Sequence, residues 1–161
     1  MKKLILVRHA KSSWKHDVID HERPLNDRGL KDANLVSKHI KAHLDKPDVV
    51  LSSDAYRAKH TAEIFISNLK IASEIVSFNH NLYDFSGEML TEVIKSSPKT
   101  VDCLMVFGHN HAITDFVNTC GDQFIENVPT SGLVIIDFDS SDWQTIKSGH
   151  IIKTVFPKDL K

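Results

Sequence analysis

Near the start of the chain lies the stretch Leu4-Ile5-Leu6-Val7-Arg8-His9-Ala10-Lys11-Ser12, in which four aliphatic residues stop abruptly at an arginine and a histidine. A continuous aliphatic run of this kind predicts a buried parallel strand. In open α/β sheets, ligands bind just beyond the carboxyl ends of such strands. The stretch therefore offers Arg8 as a fixed cation and His9 as a candidate nucleophile at a binding site.

The same pattern occurs twice more along the chain. The apolar residues 49–51 are followed closely by Arg57, and the apolar residues 104–107 are followed by His109. If the three strands are neighbours in one sheet, these two side chains converge with the first arginine-histidine pair. Two guanidiniums and two imidazoles around one point suit a phosphate group, because both side chains donate hydrogen bonds to oxyanions. Thr61 lies one helical turn after Arg57 and is expected to help fix the site.

Composition indicates an ordinary globular protein. The chain has 161 residues, 41% of them hydrophobic and 25% charged, and we expect one domain over residues 1–161. The formal net charge of −1 gives no support to nucleic-acid or membrane binding. Cys103 and Cys120 have no metal-ligand spacing and are interpreted as reduced core thiols, so we expect a cytoplasmic protein.

Strand-like and helix-like segments alternate along the chain. This alternation predicts an α/β protein, a three-layer α/β/α sandwich around a mixed, mostly parallel sheet. Because the late strands have no helix between them, we expect the sheet to finish with an antiparallel edge. The predicted strands cover about residues 4–7, 48–51, 74–78, 103–107, 133–138 and 151–156, and the predicted helices follow Asn26 or Asp27, Ser53 or Asp54, Ser86 and His111.

Four blocks of sequence occur in a fixed order: LVRHAKSSW (6–14), RPLNDRG (23–29), LSSDAYRAKHTAE (51–63) and GHN (108–110). Together they resemble the histidine phosphatase superfamily, and within it the small phosphohistidine phosphatase branch (SixA-like). The resemblance extends from Lys3 to about Phe156. It implies the three-layer fold of the phosphoglycerate mutases, which agrees with the architecture expected from the strand and helix pattern.

The resemblance also implies roles for four residues. Arg8 matches the first phosphate-binding arginine of the family, and His9 matches the histidine that becomes phosphorylated. Arg57 and His109 match the second arginine and the second histidine, which face the phosphoryl group. Because the arginines supply the positive charge, we expect neither a metal nor a cofactor.

The chain departs from the family pattern at three places. Ala10 replaces the usual glycine, which we expect to have little effect, and Lys15 replaces an asparagine contact. Larger members also use a carboxylate as general acid, for which only Asp84 and Glu88 are candidates here. General-acid assistance is worth about 10²–10⁴-fold for an alkoxide leaving group, whereas an imidazole can leave as a neutral group.

The missing acid therefore favours phosphohistidine as the substrate. We expect a phosphatase that works through phosphorylated His9, with a phosphorylated protein such as a histidine phosphotransfer domain as partner and phosphate or a similar anion in the pocket. One alternative is a phosphatase of small phosphomonoesters, and another is a phosphoprotein-binding module without turnover. A mutase is disfavoured because no clear acid or substrate-enclosing insertion is visible.

Several further residues near these motifs have two interpretations. Lys11, Ser12 and Ser13 either contact phosphate or only shape the loop, and Arg23 either forms a structural pair or lies on the rim. His111 either lines the pocket or faces solvent. Three groups are given a purely structural or solvated interpretation: the histidines His39 and His43, which lack a third metal ligand, the loop charges Asp17, Asp20 and Glu22, and the packing residues Trp14 and Trp143.

Overall fold

The computed structural model describes residues 1–161. Four α-helices and six β-strands alternate over most of the chain, with short 3₁₀ turns between them. The elements, in chain order, are β1 (Lys2–Arg8), α1 (Asp27–Ile40), β2 (Val49–Ser52), α2 (Tyr56–Leu69), β3 (Val76–Phe78), α3 (Glu88–Lys95), β4 (Cys103–Gly108), α4 (Ala112–Cys120), β5 (Leu133–Phe138) and β6 (His150–Val155).

All six strands form one sheet in the order β3-β2-β4-β1-β5-β6. The first four strands of this order run parallel to one another, whereas β5 is antiparallel to β1 and β6 is antiparallel to β5. The predicted mixed sheet with an antiparallel edge is therefore confirmed. The order also brings the carboxyl ends of β2, β4 and β1 side by side, which is the edge where ligands bind in such sheets.

The two faces of the sheet are covered by different helix pairs. Successive side chains of a strand point to opposite faces, and on β1 this divides the fully buried residues into two sets. Leu4 and Leu6 join the core formed with α3 and α4. Ile5 and Val7 join the core formed with α1 and α2. The result is the three-layer sandwich that the sequence predicts.

The first helix is tied to the loop that follows His9. The side chain of Asn26 caps α1 by accepting a hydrogen bond from the backbone N–H of Gly29, at 2.8 Å. A Cβ atom on Gly29 would lie only 2.1 Å from the carbonyl oxygen of Lys11, so glycine is what permits this close approach. Asn26 also donates its backbone N–H to the same oxygen, at 3.0 Å. The RPLNDRG block therefore shapes the loop beside the candidate nucleophile.

Three local predictions differ from the structure. Helix α2 follows Ala55, because the Asp54 side chain contacts two histidines instead of the helix. Ser86 does not cap α3: the Asp84 carboxylate does so, accepting the backbone N–H groups of Gly87 and Leu90 at 3.0 Å each. The strand predicted over 74–78 is shorter, because its first residues form a 3₁₀ turn.

The longest helices, α1 and α2, have 14 residues each. No helix combines the length and the apolar character that crossing a membrane requires.

Candidate active site

Three parallel strands end at one edge of the sheet and place polar side chains there. Arg8 ends β1 and is followed directly by His9, Ser53 follows β2, and His109 follows β4. The ladder continues past the strand ends, since His9 donates its N–H to Gly108 at 3.0 Å. The imidazole rings of His9 and His109 are consequently only 5.1 Å apart, measured between their centroids.

His9 is held in one orientation and one tautomer. Its Nδ1 lies 2.7 Å from the carbonyl oxygen of Ala10. Because a carbonyl can only accept, Nδ1 carries the proton and the neutral ring has its lone pair on Nε2. Burial, reinforced by the charges of Arg57 and Arg8, lowers the pKa of His9 to about 3 although the Ala10 bond acts the other way. The ring is therefore a neutral nucleophile at physiological pH.

Thr61 connects this loop to helix α2. Its hydroxyl accepts the backbone N–H of Ala10 at 2.9 Å and donates to the carbonyl oxygen of Arg57 at 2.7 Å. The hydroxyl is completely buried. One side chain thus fixes the residue after the nucleophile relative to the helix that carries the second arginine, in agreement with the spacing noted in the sequence.

His109 is also buried and neutral. Its Nε2 shares a hydrogen bond of 2.8 Å with the Ser53 hydroxyl, whereas its Nδ1 has no partner. Burial is the main cause that lowers the pKa of His109, and the neighbouring His9 and Arg57 lower it further. The ring therefore offers an unpaired nitrogen beside His9 without adding a charge of its own.

Both predicted arginines have buried donors without acceptors. Arg8 donates Nη1 to the carbonyl oxygen of Val128 at 2.9 Å, and burial lowers its pKa. Arg57 donates to the Asp20 carbonyl and carboxylate oxygens, at 2.7 and 3.0 Å. The Nε atoms of Arg8 and Arg57, like Nδ1 of His109, have no partner in the chain. Each unmet buried donor costs about 1–3 kcal/mol. An oxyanion is an acceptor for both guanidiniums, and for His109 Nδ1 in the tautomer that carries its proton there.

Arg23 lies in a layer next to this pocket. It is 8% exposed, donates Nη1 to the Ser12 hydroxyl at 2.7 Å, and packs its guanidinium 3.6 Å from the centre of the Trp14 ring. The prediction that Trp14 is a packing residue is wrong, because this indole is 77% exposed and covers Arg23 from outside. Trp143, by contrast, is completely buried, as predicted.

Asp20 contacts both arginines of the site, which the sequence interpretation missed. Its carboxylate accepts hydrogen bonds from Arg23 Nε at 3.0 Å, from Arg57 Nη2 at 3.0 Å and from the Tyr83 hydroxyl. Partial burial raises the pKa of Asp20, but the bonds from Tyr83, Arg23 and Arg57 outweigh it and hold the pKa well below its usual range. Asp20 therefore orients both arginines and is not a solvated loop charge.

The structure divides the remaining candidate residues into separate groups. Ser12 and Ser13 are buried in the loop, and Ser12 binds Arg23. Lys11 and His111 are exposed, with His111 directly before α4. The side chains of Lys11 and His111 take no part in the contacts that surround His9.

The two candidate acids, Asp84 and Glu88, lie at the start of α3. Asp84 is engaged by four backbone and hydroxyl donors at the start of α3, which lower its pKa despite the opposing effect of burial. Glu88 lines a surface cavity of about 690 Å³ with residues of α3 and α4, among them Thr91, Lys95 and Asp115. A carboxylate held in its ionised form is a poor acid, so the expectation that Asp84 protonates a leaving group is not supported by its contacts.

The fold and the pocket define an α/β protein with a buried neutral histidine beside guanidinium and imidazole nitrogens that have no partner, an arrangement suited to phosphoryl groups. The model of the histidine phosphatase superfamily (branch 1) matches residues 4–78, which include Arg8, His9 and Arg57. The first half of the chain therefore matches the histidine phosphatase superfamily, and the fold of the whole chain agrees with that match. These findings support a phosphatase of the histidine-phosphatase type.

Individual proteins show the same relationship. An uncharacterized protein of Mycobacterium tuberculosis is 28% identical over 153 residues, covering 89% of this chain and 93% of its own. Phosphoserine phosphatase 1 of Hydrogenobacter thermophilus is 36% identical over 109 residues, 62% of this chain and 48% of that protein. The structure of the protein histidine phosphatase SixA complexed with tungstate superimposes with a TM-score of 0.84 at 18% identity, over 99% of both chains. The SixA match confirms the predicted phosphoglycerate mutase-like fold.

A stability measurement tests the two buried neutral histidines. Both pKa values are lowered by burial, so between the unfolded value near 6.5 and the folded value the unfolded chain binds protons that the folded chain does not. Stability is therefore complete above about pH 6.5 and falls as the pH is lowered, by on the order of 1 to 2 kcal/mol per histidine at pH 5. Urea unfolding at pH 7 and pH 5 measures this loss.

The matched variant for this measurement is His109→Gln, which keeps a hydrogen-bonding side chain next to Ser53 but has no titrating ring. We expect the variant to lose less stability than the wild type between pH 7 and pH 5. Equal losses in the two proteins would contradict the burial of a neutral imidazole at position 109.

Proposed function

We propose that this protein hydrolyses phosphohistidine in proteins, by way of a phosphorylated His9, without a metal ion. The observation that carries the proposal is the free Nε2 of a neutral His9 beside three buried nitrogens that have no hydrogen-bond partner. A phosphoryl group bound at these nitrogens would contact His9 Nε2 and the groups that stabilise its negative charge at the same time.

Each group then has a defined task. His9 Nε2 attacks phosphorus, a new N–P bond forms, and the P–N bond to the substrate imidazole breaks. The electron pair of that bond goes to the leaving imidazole, which takes up a proton from solvent. Arg8 and Arg57 balance the charge on the phosphoryl oxygens, and the Ser53 hydroxyl donates to His109 Nε2 so that Nδ1–H faces an oxygen. Water then attacks phosphorus, a P–O bond forms, and the P–N bond to His9 breaks with its electron pair returning to Nε2. The protons of that water leave with the released phosphate or pass to solvent, and His9 is restored.

The lack of a free acid supports phosphohistidine over phosphate esters. An imidazole has a pKa near 6.5, so it leaves as a neutral group once it is protonated, whereas an alkoxide needs a proton donor in the site. Asp20 and Asp84 are both held ionised by the hydrogen bonds that they accept. The Tyr83 hydroxyl donates to Asp20, and burial together with this bond raises the pKa of Tyr83. The Tyr83 proton is therefore held in the hydrogen bond to Asp20 and is not available to a leaving group.

The partner that we propose is a protein that carries phosphohistidine, such as a histidine phosphotransfer domain. The similarity of the fold to SixA, a protein histidine phosphatase, supports this class of substrate. The related phosphoserine phosphatase supports the second candidate, a small-molecule phosphatase. A phosphoprotein-binding module is the third candidate, but binding alone gives no reason for a neutral histidine with a free Nε2.

Phosphate release from two substrates distinguishes these candidates. We expect a phosphorylated histidine phosphotransfer domain to be dephosphorylated with a higher kcat/KM than p-nitrophenyl phosphate. Faster hydrolysis of p-nitrophenyl phosphate would indicate that the substrates are small phosphomonoesters. It would also require a general acid in the site. Tight binding of the phosphorylated domain without release of phosphate would favour the binding module.

Chelation tests the metal independence of the reaction. Because the guanidiniums of Arg8 and Arg57 supply the positive charge, we expect kcat/KM to be unchanged after treatment with EDTA and after addition of Mg²⁺. A loss of activity that Mg²⁺ restores would contradict the mechanism.

A further inference from the structure

A cluster of three metal-ligating side chains lies outside the phosphoryl pocket. His21 Nε2 is 2.8 Å from one carboxylate oxygen of Asp54, and His80 Nδ1 is 2.9 Å from the other. The two imidazole rings are 5.7 Å apart. All three ligand atoms lie within 4.8 Å of one another. We call His21, Asp54 and His80 the His-Asp-His cluster.

We propose that the His-Asp-His cluster binds one divalent transition-metal ion of the Zn²⁺ class. Two imidazoles and one carboxylate form a ligand set that zinc accepts, and tetrahedral zinc leaves a fourth position for water. Mg²⁺ and Ca²⁺ prefer ligand sets made of oxygen, so this set discriminates against them. The side chains are 30%, 35% and 70% exposed, so an ion has access from solvent.

The backbone already holds two of the three ligands in position. The Asp54 segment is fixed at the end of β2, where Ser53 donates its N–H to the Phe107 carbonyl at 3.0 Å. The turn that carries His80 is fixed to the same strand, because Asn79 donates its N–H to the Ser52 carbonyl at 2.8 Å. Only small side-chain movements separate the present contacts from metal coordination, which reduces the entropy cost of binding.

The third ligand connects the cluster to the residues around the pocket. His21 directly follows Asp20, whose carboxylate orients Arg23 and Arg57. An ion on the cluster would therefore brace the 3₁₀ turn Asp20–Glu22 against the end of β2 and the turn at His80. The Tyr83 ring contacts both the His21 ring and the His109 ring, with centroid distances of 4.9 and 5.4 Å, so the cluster is a neighbour of the phosphoryl pocket.

Another histidine pair provides a natural comparison. His39 and His43 lie 5.6 Å apart on the α1 side of the chain, but they have no carboxylate between them and come from one continuous segment. The His-Asp-His cluster differs because its ligands come from three separate segments and share one acid. We therefore expect the His-Asp-His cluster to bind a metal ion more tightly than the His39–His43 pair does.

Titration of the full-length chain with ZnCl₂ tests the proposal. The protein is prepared without a polyhistidine tag, stripped with a chelator and followed by isothermal titration calorimetry. We expect one Zn²⁺ per chain, a higher Tm with Zn²⁺ than without it, and no comparable heat with Mg²⁺. Co²⁺ should give a visible absorption spectrum of four- or five-coordinate nitrogen and oxygen ligation.

Four variants locate the ion. His21→Ala and His80→Ala should each weaken Zn²⁺ binding by more than about tenfold, and Asp54→Asn should also weaken it, while His39→Ala leaves it unchanged. The proposal is overturned if the wild type binds no stoichiometric Zn²⁺, or if His39→Ala alone removes the binding. Because none of these measurements uses turnover, their failure would leave the proposed phosphatase function untouched, and the reverse also holds.

Discussion

His9→Ala is expected to abolish turnover of a phosphohistidine protein while the fold persists. The substitution removes the only nitrogen that the proposed reaction uses as nucleophile, and loss of a covalent nucleophile lowers kcat by on the order of 10⁴-fold or more. The backbone contacts do not depend on the ring, since the His9 N–H still bonds to Gly108. Phosphate release measured with enzyme in large excess gives the size of the loss.

A covalent intermediate distinguishes this mechanism from direct attack by water. In the wild type, a brief reaction with labelled phosphohistidine protein should leave an acid-labile, alkali-stable phosphoryl group on His9, because a phosphoramidate has those properties. The variant should not acquire it. The exposed His39 offers a matched control, and His39→Ala should retain full activity. Wild-type rates in His9→Ala would remove the nucleophile from the mechanism.

Binding separates a chemical defect from a structural one. The arginines and His109 keep their contacts when the His9 ring is removed, so His9→Ala should still bind inorganic phosphate or tungstate. A folded variant that binds the anion but does not turn over substrate would locate the defect at the nucleophile. Loss of both anion binding and turnover would instead indicate a collapsed pocket. We therefore expect the variant to retain anion binding.

The sequence was sufficient to predict the sheet and the convergence of four side chains. The runs that end at Arg8 and His109 are buried parallel strands, and neighbouring parallel strands end at one edge. The position of Arg57 follows from the same rule, because α2 begins directly beyond β2. Each of these inferences needs only the order of elements along the chain, which periodicity shows well.

The contacts of Asp20 could not be predicted in the same way. Residues 12–24 have no periodicity, and Asp20 meets Tyr83 across 63 positions of sequence. Their contact depends on how the loop folds back over the sheet edge, which no local pattern encodes. The RPLNDRG block (23–29) was recognised in the sequence. The structure explains it by the hydrogen bond from Asn26 to Lys11 and by the close approach of Lys11 to Gly29.

The interpretation of Asp84 shows a second limit of the sequence. A carboxylate near the expected site suggests a general acid, but a carboxylate two to four residues before a helix can equally cap it. Asp84 bonds to the N–H groups of Gly87 and Leu90, which places a negative charge at the positive end of α3. The residue type alone does not distinguish a general acid from a helix cap. The position of the carboxylate relative to the backbone N–H groups of the helix does.

Arg57→Ala is expected to lower kcat/KM by roughly 10²–10³-fold, a loss of about 3–4 kcal/mol like that of a single oxyanion donor. Arg57 is 2% exposed, and its Nε is one of the three buried nitrogens that have no hydrogen-bond partner. Its charge is most valuable when negative charge shifts among the phosphoryl oxygens, so the larger share of the loss should lie in kcat. Steady-state kinetics with the phosphohistidine protein measures both parameters.

Two further arginine variants separate charge from geometry. Arg57→Lys keeps the positive charge but cannot donate to Asp20 and to a phosphoryl oxygen from one planar fork, so its activity should lie between those of the wild type and Arg57→Ala. Arg28→Ala, at a 66% exposed side chain paired with Asp32, should behave as the wild type. If Arg57→Lys were fully active, charge alone would explain the contribution of Arg57. If Arg57→Ala lost less than about tenfold, the proposed transition-state contact would be wrong, because one buried charged donor is worth more than that.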